Sequence, residues 1–349
     1  MASMADEVVR LSFSHASRSF RDAAGLVAGI HDLTFDVAAG EIVCLLGPSG
    51  CGKSTTLRLA AGVERLDSGI IRIGSEIVDG EGHFMPPELR RVGLMFQDYA
   101  LFPHMNVLAN VMFGLSRMNP GEREPRAQAT LARVGLGHHA ASWPHTLSGG
   151  EQQRAALARA LAPGPRVMMM DEPFSGLDGR LRESVRDQAI SLLRESGTPT
   201  LFVTHDPDEA LRTASRIILM RKGRIVQTGT PEEILNQPVD REAAAFFSPL
   251  NLMVARVSGG RVETPLGHFP APGLAEGAEV EVALRPDDLV VTSGSGTAAR
   301  VINCAPGIGG YVLDVSVAGE VFTLRNQAPL QVGSDLTVSA VAGKQLIFG

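Results

Sequence analysis

Cysteine is scarce: Cys44, Cys51 and Cys304 are the three in a chain of 349 residues. No two of them form a C-x-x-C pair, which argues against a disulfide framework and a cysteine-based zinc site. Long apolar runs are missing as well. Ile42 to Leu46 is typical of the longest, far below the ~20 residues that span a bilayer. Asp6, Glu7 and Arg10 interrupt the start, where a signal peptide needs an unbroken apolar stretch. The expectation is a chain in a reduced, cytosolic setting that neither is exported nor spans a membrane by its own sequence. There is no basic excess: the net charge is −6, which argues against a broad nucleic-acid-binding face. Lysine is rare too. Lys53, Lys222 and Lys344 account for three of the 32 basic residues, and the remaining 29 are arginine. A compositional bias of the genome explains this. Even so, a retained lysine marks a position that calls for a compact ammonium rather than a guanidinium fork.

What is present is an ordinary globular composition, 44% apolar and 20% charged, at a length that suits about two domains. Up to about Ser248, short apolar runs alternate with helical stretches. The strand-like runs are Glu41–Leu46, Arg91–Phe96, Val167–Met170, Thr200–Thr204 and Arg216–Met220. One helix covers Leu181–Arg194, with Leu181, Val185, Ala189, Leu192 and Leu193 on one face and Gly197 as its stop. This alternation predicts a mainly parallel sheet covered by helices. The stretch Pro103–Ala162 reads as a helical lobe without a strand. After Pro249, helical periodicity fades. Tyr311, Leu313, Val315 and Val317 alternate along one face, and Gly and Pro punctuate the chain, which predicts a small all-β domain. No internal repeat is present.

The chemistry begins at Gly47-Pro48-Ser49-Gly50-Cys51-Gly52-Lys53-Ser54-Thr55, which fits G-x-x-x-x-G-K-[ST] between an apolar strand and a helix. Glycines turn successive backbone N–H groups inward around phosphate oxygens, and the helix N-terminus adds its positive end. Lys53 suits the β- and γ-phosphates, and the Ser54 hydroxyl suits Mg²⁺. Cys51 occupies a variable position of the loop. Val167-Met-Met-Met-Asp171-Glu172 is an apolar strand ending in two carboxylates. Asp171 suits Mg²⁺, held through water, and Glu172 is placed to polarise an attacking water. Ser148-x-x-Glu151 is a capping box opening a helix over Gln152–Leu161, and a capped helix N-terminus attracts anions. His205 ends the apolar strand Leu201-Phe-Val-Thr, at the sheet edge where ligands of open α/β sheets bind.

Leu147-Ser-Gly-Gly-Glu-Gln-Gln-Arg154 resembles the signature of ATP-binding-cassette ATPases, with Glu151 where glutamine is commoner. Gln97, within Val92-Gly-Leu-Met-Phe-Gln-Asp-Tyr-Ala-Leu-Phe-Pro103, resembles the Q-loop of that family. Ser175-Gly-Leu-Asp178 resembles the D-loop, and His205 in Val203-Thr-His-Asp206 the switch histidine. The resemblance implies a P-loop NTPase cassette over residues 1–247, with a helical subdomain about 103–162. Residues 248–349, with Leu284-Arg-Pro-Asp-Asp-Leu289, resemble the small OB-like β-barrel (TOBE) extension of importer ATPases.

The implied activity is ATP hydrolysis with Mg²⁺. Glu172, His205 and Gln97 are then catalytic, and Ser54, Asp171 and Gln97 face the metal. Ser148, Gly149, Gly150 and Asp178 act on the ATP held by a second cassette. One cassette per chain implies a homodimer. Adenine stacks on an aromatic residue, Phe20 or else Phe13; Arg21–Val27 looks like a short insertion beside it. The implied partners are an integral membrane permease, received near Asp98–Met105 through exposed Tyr99, Leu101 and Phe102, and a substrate-binding protein. The chain's place is then the cytoplasmic face of the inner membrane, reached only through the permease. The wording around Ala156–Pro163, Asp171–Asp178 and Phe246–Asn251 is most similar to ferric-iron importers; polyamine, sugar and other anion importers share nearly the same cassette. A DNA-repair or regulatory ATPase of this family is the alternative of another class. The Gly47–Ser148 interval holds neither the heptad arm nor the C-x-x-C pairs of the repair type, and the regulatory type usually carries two cassettes per chain.

Overall fold

The computed structural model describes residues 9–21, 27–176 and 179–349. The chain divides by packing into two compact units, Met1–Ile234 and Leu235–Gly349.

In the first unit, among the described residues, a six-stranded sheet carries the order 224–229, 216–221, 42–46, 200–204, 167–171, 92–95. All its pairings are parallel except the edge pair Arg216–Arg221 with Arg224–Gly229. Each expected strand is present, with ends differing by about one residue as helix and strand termini do. The strands Ile42–Leu46 and Thr200–Thr204 are buried at every position, and Met168, Met169 and Met170 are almost fully so. Continuous apolar runs of this kind suit parallel strands covered on both faces. The helix Gly179–Ser196 buries Val185, Ala189, Leu192 and Leu193 and is followed by left-handed Gly197. Residues 103–162 hold the helices Val107–Gly114, Pro120–Arg133 and Gly149–Leu161 and no strand.

A second, antiparallel sheet was not anticipated. It orders Val27–Ala38, Val9–Arg21, Ser68–Ile73, Glu76–Gly80 and His83–Phe84. Its long strand pair slips register between Phe13 and Ala16 and again before Arg18, so the buried positions run Leu11, Phe13, Ala16. Bulges of this kind break the two-residue period by which a strand is recognised.

The second unit is all-β apart from its first segments. Two five-stranded antiparallel sheets share one core that includes Val282, Leu313, Val315, Val317, Phe322 and Leu324. Leu313, Val315 and Val317 are fully buried along Gly310–Val317. The Asn251 amide joins the sheets, donating to the Thr323 carbonyl and accepting from its N–H, each at 2.8 Å. The sequence boundary at 247/248 marks the end of helical texture, whereas the packing division falls at 234/235. Helix Arg241–Phe247 therefore lies in the second unit, where the Arg241 guanidinium reaches Glu281 at 2.9 Å. The Arg285 guanidinium likewise donates to the Leu235 carbonyl at 2.6 Å.

Candidate active site

The phosphate-type loop lies between strand Ile42–Leu46 and helix Lys53–Ala61. Gly47 has φ 150° and Gly52 φ 103°. A Cβ on Gly47 would stand 2.2 Å from the Met220 carbonyl oxygen, so backbone approach as well as torsion demands glycine there. Pro48, Ser49 and Gly50 form an exposed lip, while Cys51 is buried. Burial pushes the Cys51 thiol above its usual range, which keeps it protonated and chemically quiet. The Lys53 ammonium is 6% exposed and donates to the carbonyls of Gly47 at 2.6 Å and Pro48 at 3.1 Å. A rigid guanidinium fork would not turn back into so tight a loop.

The two oxygens expected at the metal stand together: the Ser54 hydroxyl donates to Asp171 Oδ1 at 3.0 Å. Burial raises the Asp171 carboxyl above its usual range, against the pull of the Ser54 hydroxyl. Glu172 has φ 45°, left-handed backbone for a non-glycine residue. It is held there by its N–H bond to the Val203 carbonyl at 2.9 Å and by the Ser175 hydroxyl, which donates to the Glu172 carbonyl at 3.0 Å. Strain fixed in this way marks functional positions. The turn brings Glu172 Oε1 to 3.1 Å from His205 Nδ1. Asp171, Glu172 and His205 thus gather at the C-terminal ends of neighbouring strands.

Gln97 is exposed two residues beyond strand Val92–Met95, whose last residue pairs with Met170. Tyr99 and Ala100 follow in left-handed conformation. Their carbonyls accept from the Arg159 guanidinium at 2.9 and 2.7 Å, tying the segment to helix Gly149–Leu161. The Asn110 amide donates to the carbonyls of Phe102, Met105 and Asn106 and accepts from Phe102 N–H. Neither Arg159 nor Asn110 was singled out in the sequence, because each acts on carbonyls that any residue supplies. The expectation that Tyr99 is exposed is corrected: it is 8% exposed, and a Cβ on Gly176 would lie 3.4 Å from its hydroxyl. Leu101 and Phe102 are half-buried. A groove of about 840 Å³ beside them is lined by Phe96, Phe102, Phe113 and Arg159 among others.

Ser148 caps helix Gly149–Leu161, which begins three residues before the expected Gln152, and the capping box with Glu151 is complete. Ser148 and Gly149 are exposed; Gly150 is buried. Phe13 stacks on Phe35 at 4.6 Å and is 1% exposed, which makes it a core residue. Phe20 is half-buried with the Arg18 guanidinium 4.8 Å from its ring centre. Asp178 and most of the Arg21–Val27 stretch lie outside the described residues.

Comparison with known proteins gives a family and relatives. The family described as "ABC transporter" matches residues 30–175. The Fe(3+) ions import ATP-binding protein FbpC of Pseudomonas fluorescens is 41% identical over 301 residues, covering 86% of this chain and 83% of its own. FbpC of Streptomyces avermitilis is 49% identical over 240 residues, 68% of each chain. The sulfate/thiosulfate import ATP-binding protein CysA 2 of Chromobacterium violaceum is 39% identical over 305 residues, 86% and 80%. Among solved structures, a dimeric post-hydrolysis state of the ATP-binding cassette MJ0796 bound to ADP and Pi has a TM-score of 0.56. It is 27% identical and covers 63% of this chain and 98% of that one.

Proposed function

The chain belongs to the ABC transporter family as an importer-type ATPase, and from that premise we propose that two copies hydrolyse Mg²⁺-ATP head to tail to drive ferric-iron uptake through a separate permease. The observation that carries this reading is the meeting of two pairs, Ser54–Asp171 and Glu172–His205, at adjacent strand ends beside the phosphate loop.

Lys53 and the loop N–H groups hold the phosphates in the ground state. Ser54 and Asp171 are hard oxygen donors 3.0 Å apart, a set that fits Mg²⁺, and Gln97, exposed two residues past the neighbouring strand, is the further candidate. When bound, Mg²⁺ supplies charge neutralisation at the β- and γ-phosphate oxygens. Glu172 orients and polarises the attacking water; His205 fixes the Glu172 carboxylate and contacts the γ-phosphate. Ser148, Gly149, Gly150 and Asp178 complete the site of the partner copy. Phe20 is the adenine platform.

No described helix is long and apolar enough to cross a membrane. The importer relatives support a permease as the membrane component, received near Asp98–Met105 at the groove lined by Phe96, Phe102 and Phe113. A substrate-binding protein delivers the cargo outside, and the chain sits at the cytoplasmic face of the inner membrane. Residues 248–349 act as the TOBE-like extension of the cassette in residues 1–247. The ferric-ion relatives support iron as cargo. The sulfate/thiosulfate relative supports anion import as the second reading, and uptake of labelled iron against labelled sulfate decides between them.

The composite site is tested by mixing. Lys53→Ala and Ser148→Arg each disable both sites of their own homodimer, but in a mixed dimer the two lesions fall on one site. With Glu172→Gln added to slow hydrolysis, the mixture should trap ATP and neither protein alone should. Equal trapping in mixture and parents refutes the head-to-tail arrangement.

A further inference from the structure

The signature turn carries a carboxylate that phosphate binding alone does not call for. Glu151 Oε2 accepts from both the backbone N–H and the hydroxyl of Ser148, each at 2.8 Å. Its other oxygen, Oε1, lies 3.2 Å from His139 Nε2. Glutamine, commoner at this place in the family, offers one acceptor and one donor. Glutamate offers two acceptors, so its second oxygen needs a donor from elsewhere, and His139 brings it. The other ring nitrogen, Nδ1, stands 3.1 Å from the Ser142 hydroxyl. A hydroxyl either donates or accepts, so neutral and protonated His139 are both accommodated. Arg154 also faces Glu151, and the His138 ring centre is 4.2 Å from that of His139. The Ser148 donors, then His139 and Arg154, hold the Glu151 carboxyl below the usual range. It is therefore ionised wherever a histidine titrates.

Serine has a single hydroxyl proton. While that proton points at Glu151 it is not available to a phosphate. When it turns to a γ-phosphate, Glu151 Oε2 keeps the backbone N–H alone and a second anion has arrived. Both changes increase the attraction of the site for a proton. Resting on the reading that Ser148 engages ATP across the dimer, we propose that Glu151 positions the signature serine and that engagement takes up one solvent proton at His139, so that ATP capture is linked to pH. The neutral ring directs its Nε2 proton at Glu151; the added proton goes to Nδ1, where the Ser142 hydroxyl accepts it.

The sign follows from linkage. A proton bound on closure makes capture strongest at low pH and weaker as pH rises through the histidine range, by up to about tenfold per pH unit. The test uses the full chain with Glu172→Gln, scoring ATP-trapped dimer against ATP concentration between about pH 6 and 8. The half-saturating concentration should rise with pH, and adding Glu151→Gln or His139→Gln should flatten that rise. An unchanged slope in either variant overturns the proposal and leaves the dimer standing. No trapped dimer at any pH overturns the sandwich reading and the proposal with it. As a readout independent of variants, the His139 ring resonances in the Glu172→Gln chain should titrate at higher pH with ATP trapped than without. An unmoved titration refutes proton uptake.

Discussion

Glu209 puts a carboxyl where water barely reaches. It is 5% exposed; its Oε2 accepts from the Thr204 hydroxyl at 2.8 Å, and its Oε1 has no hydrogen-bond partner among the described residues. Burial pushes its pKa up to about 7. The folded chain therefore binds this proton more tightly than the unfolded chain. Its charge costs stability increasingly as pH rises from the ordinary carboxyl range to about 7, and fully above that. Glu209→Gln keeps an acceptor for Thr204 and removes the charge. It should stabilise the fold by about 1–3 kcal/mol at pH 8 and much less at pH 5, read from urea midpoints at the two values. An equal gain at both would show that ionisation is not the cause. Residues of this kind escape a sequence reading, because nothing near Glu209 in the chain announces that Thr204 and burial await it. The positions of Lys53, Ser54, Asp171 and Glu172 at the phosphate-type loop and the strand end were legible because their motifs rest on local spacing beside an apolar strand.

At the scale of elements, the phosphate-loop helix is held at its far end by one arginine. The Arg90 guanidinium, 1% exposed, donates to the carbonyls of Leu59 and Ala60 on that helix and of Val78 and Met85 on the antiparallel-sheet side. Burial lowers its pKa to about 10, so it stays charged at neutral pH. Arg90→Leu would leave the Ala60 and Met85 carbonyls without their donor, while Leu59 and Val78 keep the N–H groups of Gly62 and Met85, at about 1–3 kcal/mol for each one left buried and unsatisfied. The expected loss is about 2–6 kcal/mol in unfolding free energy, measured by denaturant titration; a loss below ~1 kcal/mol would show that water or relaxation replaces the guanidinium. The parallel strands and the signature helix could be read in advance because their patterns are continuous. The antiparallel sheet could not: its longest strand pair is bulged, and Arg90, which ties that sheet to the helix, sits just after the three-residue helical turn Pro87–Leu89, in a stretch without periodicity.

For the whole molecule, the division at 234/235 and the sequence boundary at 247/248 make different cuts. Helix Arg241–Phe247 bonds into the second unit through Glu281. A chain ending at Ile234 should therefore be at least as soluble as one ending at Ser248, which would retain that helix without its partner. Both should keep basal ATPase activity, since the residues proposed to hold and hydrolyse ATP, Lys53, Asp171, Glu172 and His205, precede either cut. Aggregation of the shorter chain alone, seen by size exclusion, would show that the helix is needed by the first unit. The buried methionines of strand Val167–Asp171 add a consequence of another kind. Met168, Met169 and Met170 are sealed within the parallel sheet, on the strand next to its Val92–Met95 edge, and thioether sulfur is oxidised by peroxide only where peroxide can reach it. Sulfoxide appearing at these three positions, the last of them next to Asp171 at the strand end, would act as a clock for how often this sheet of the ATPase comes apart.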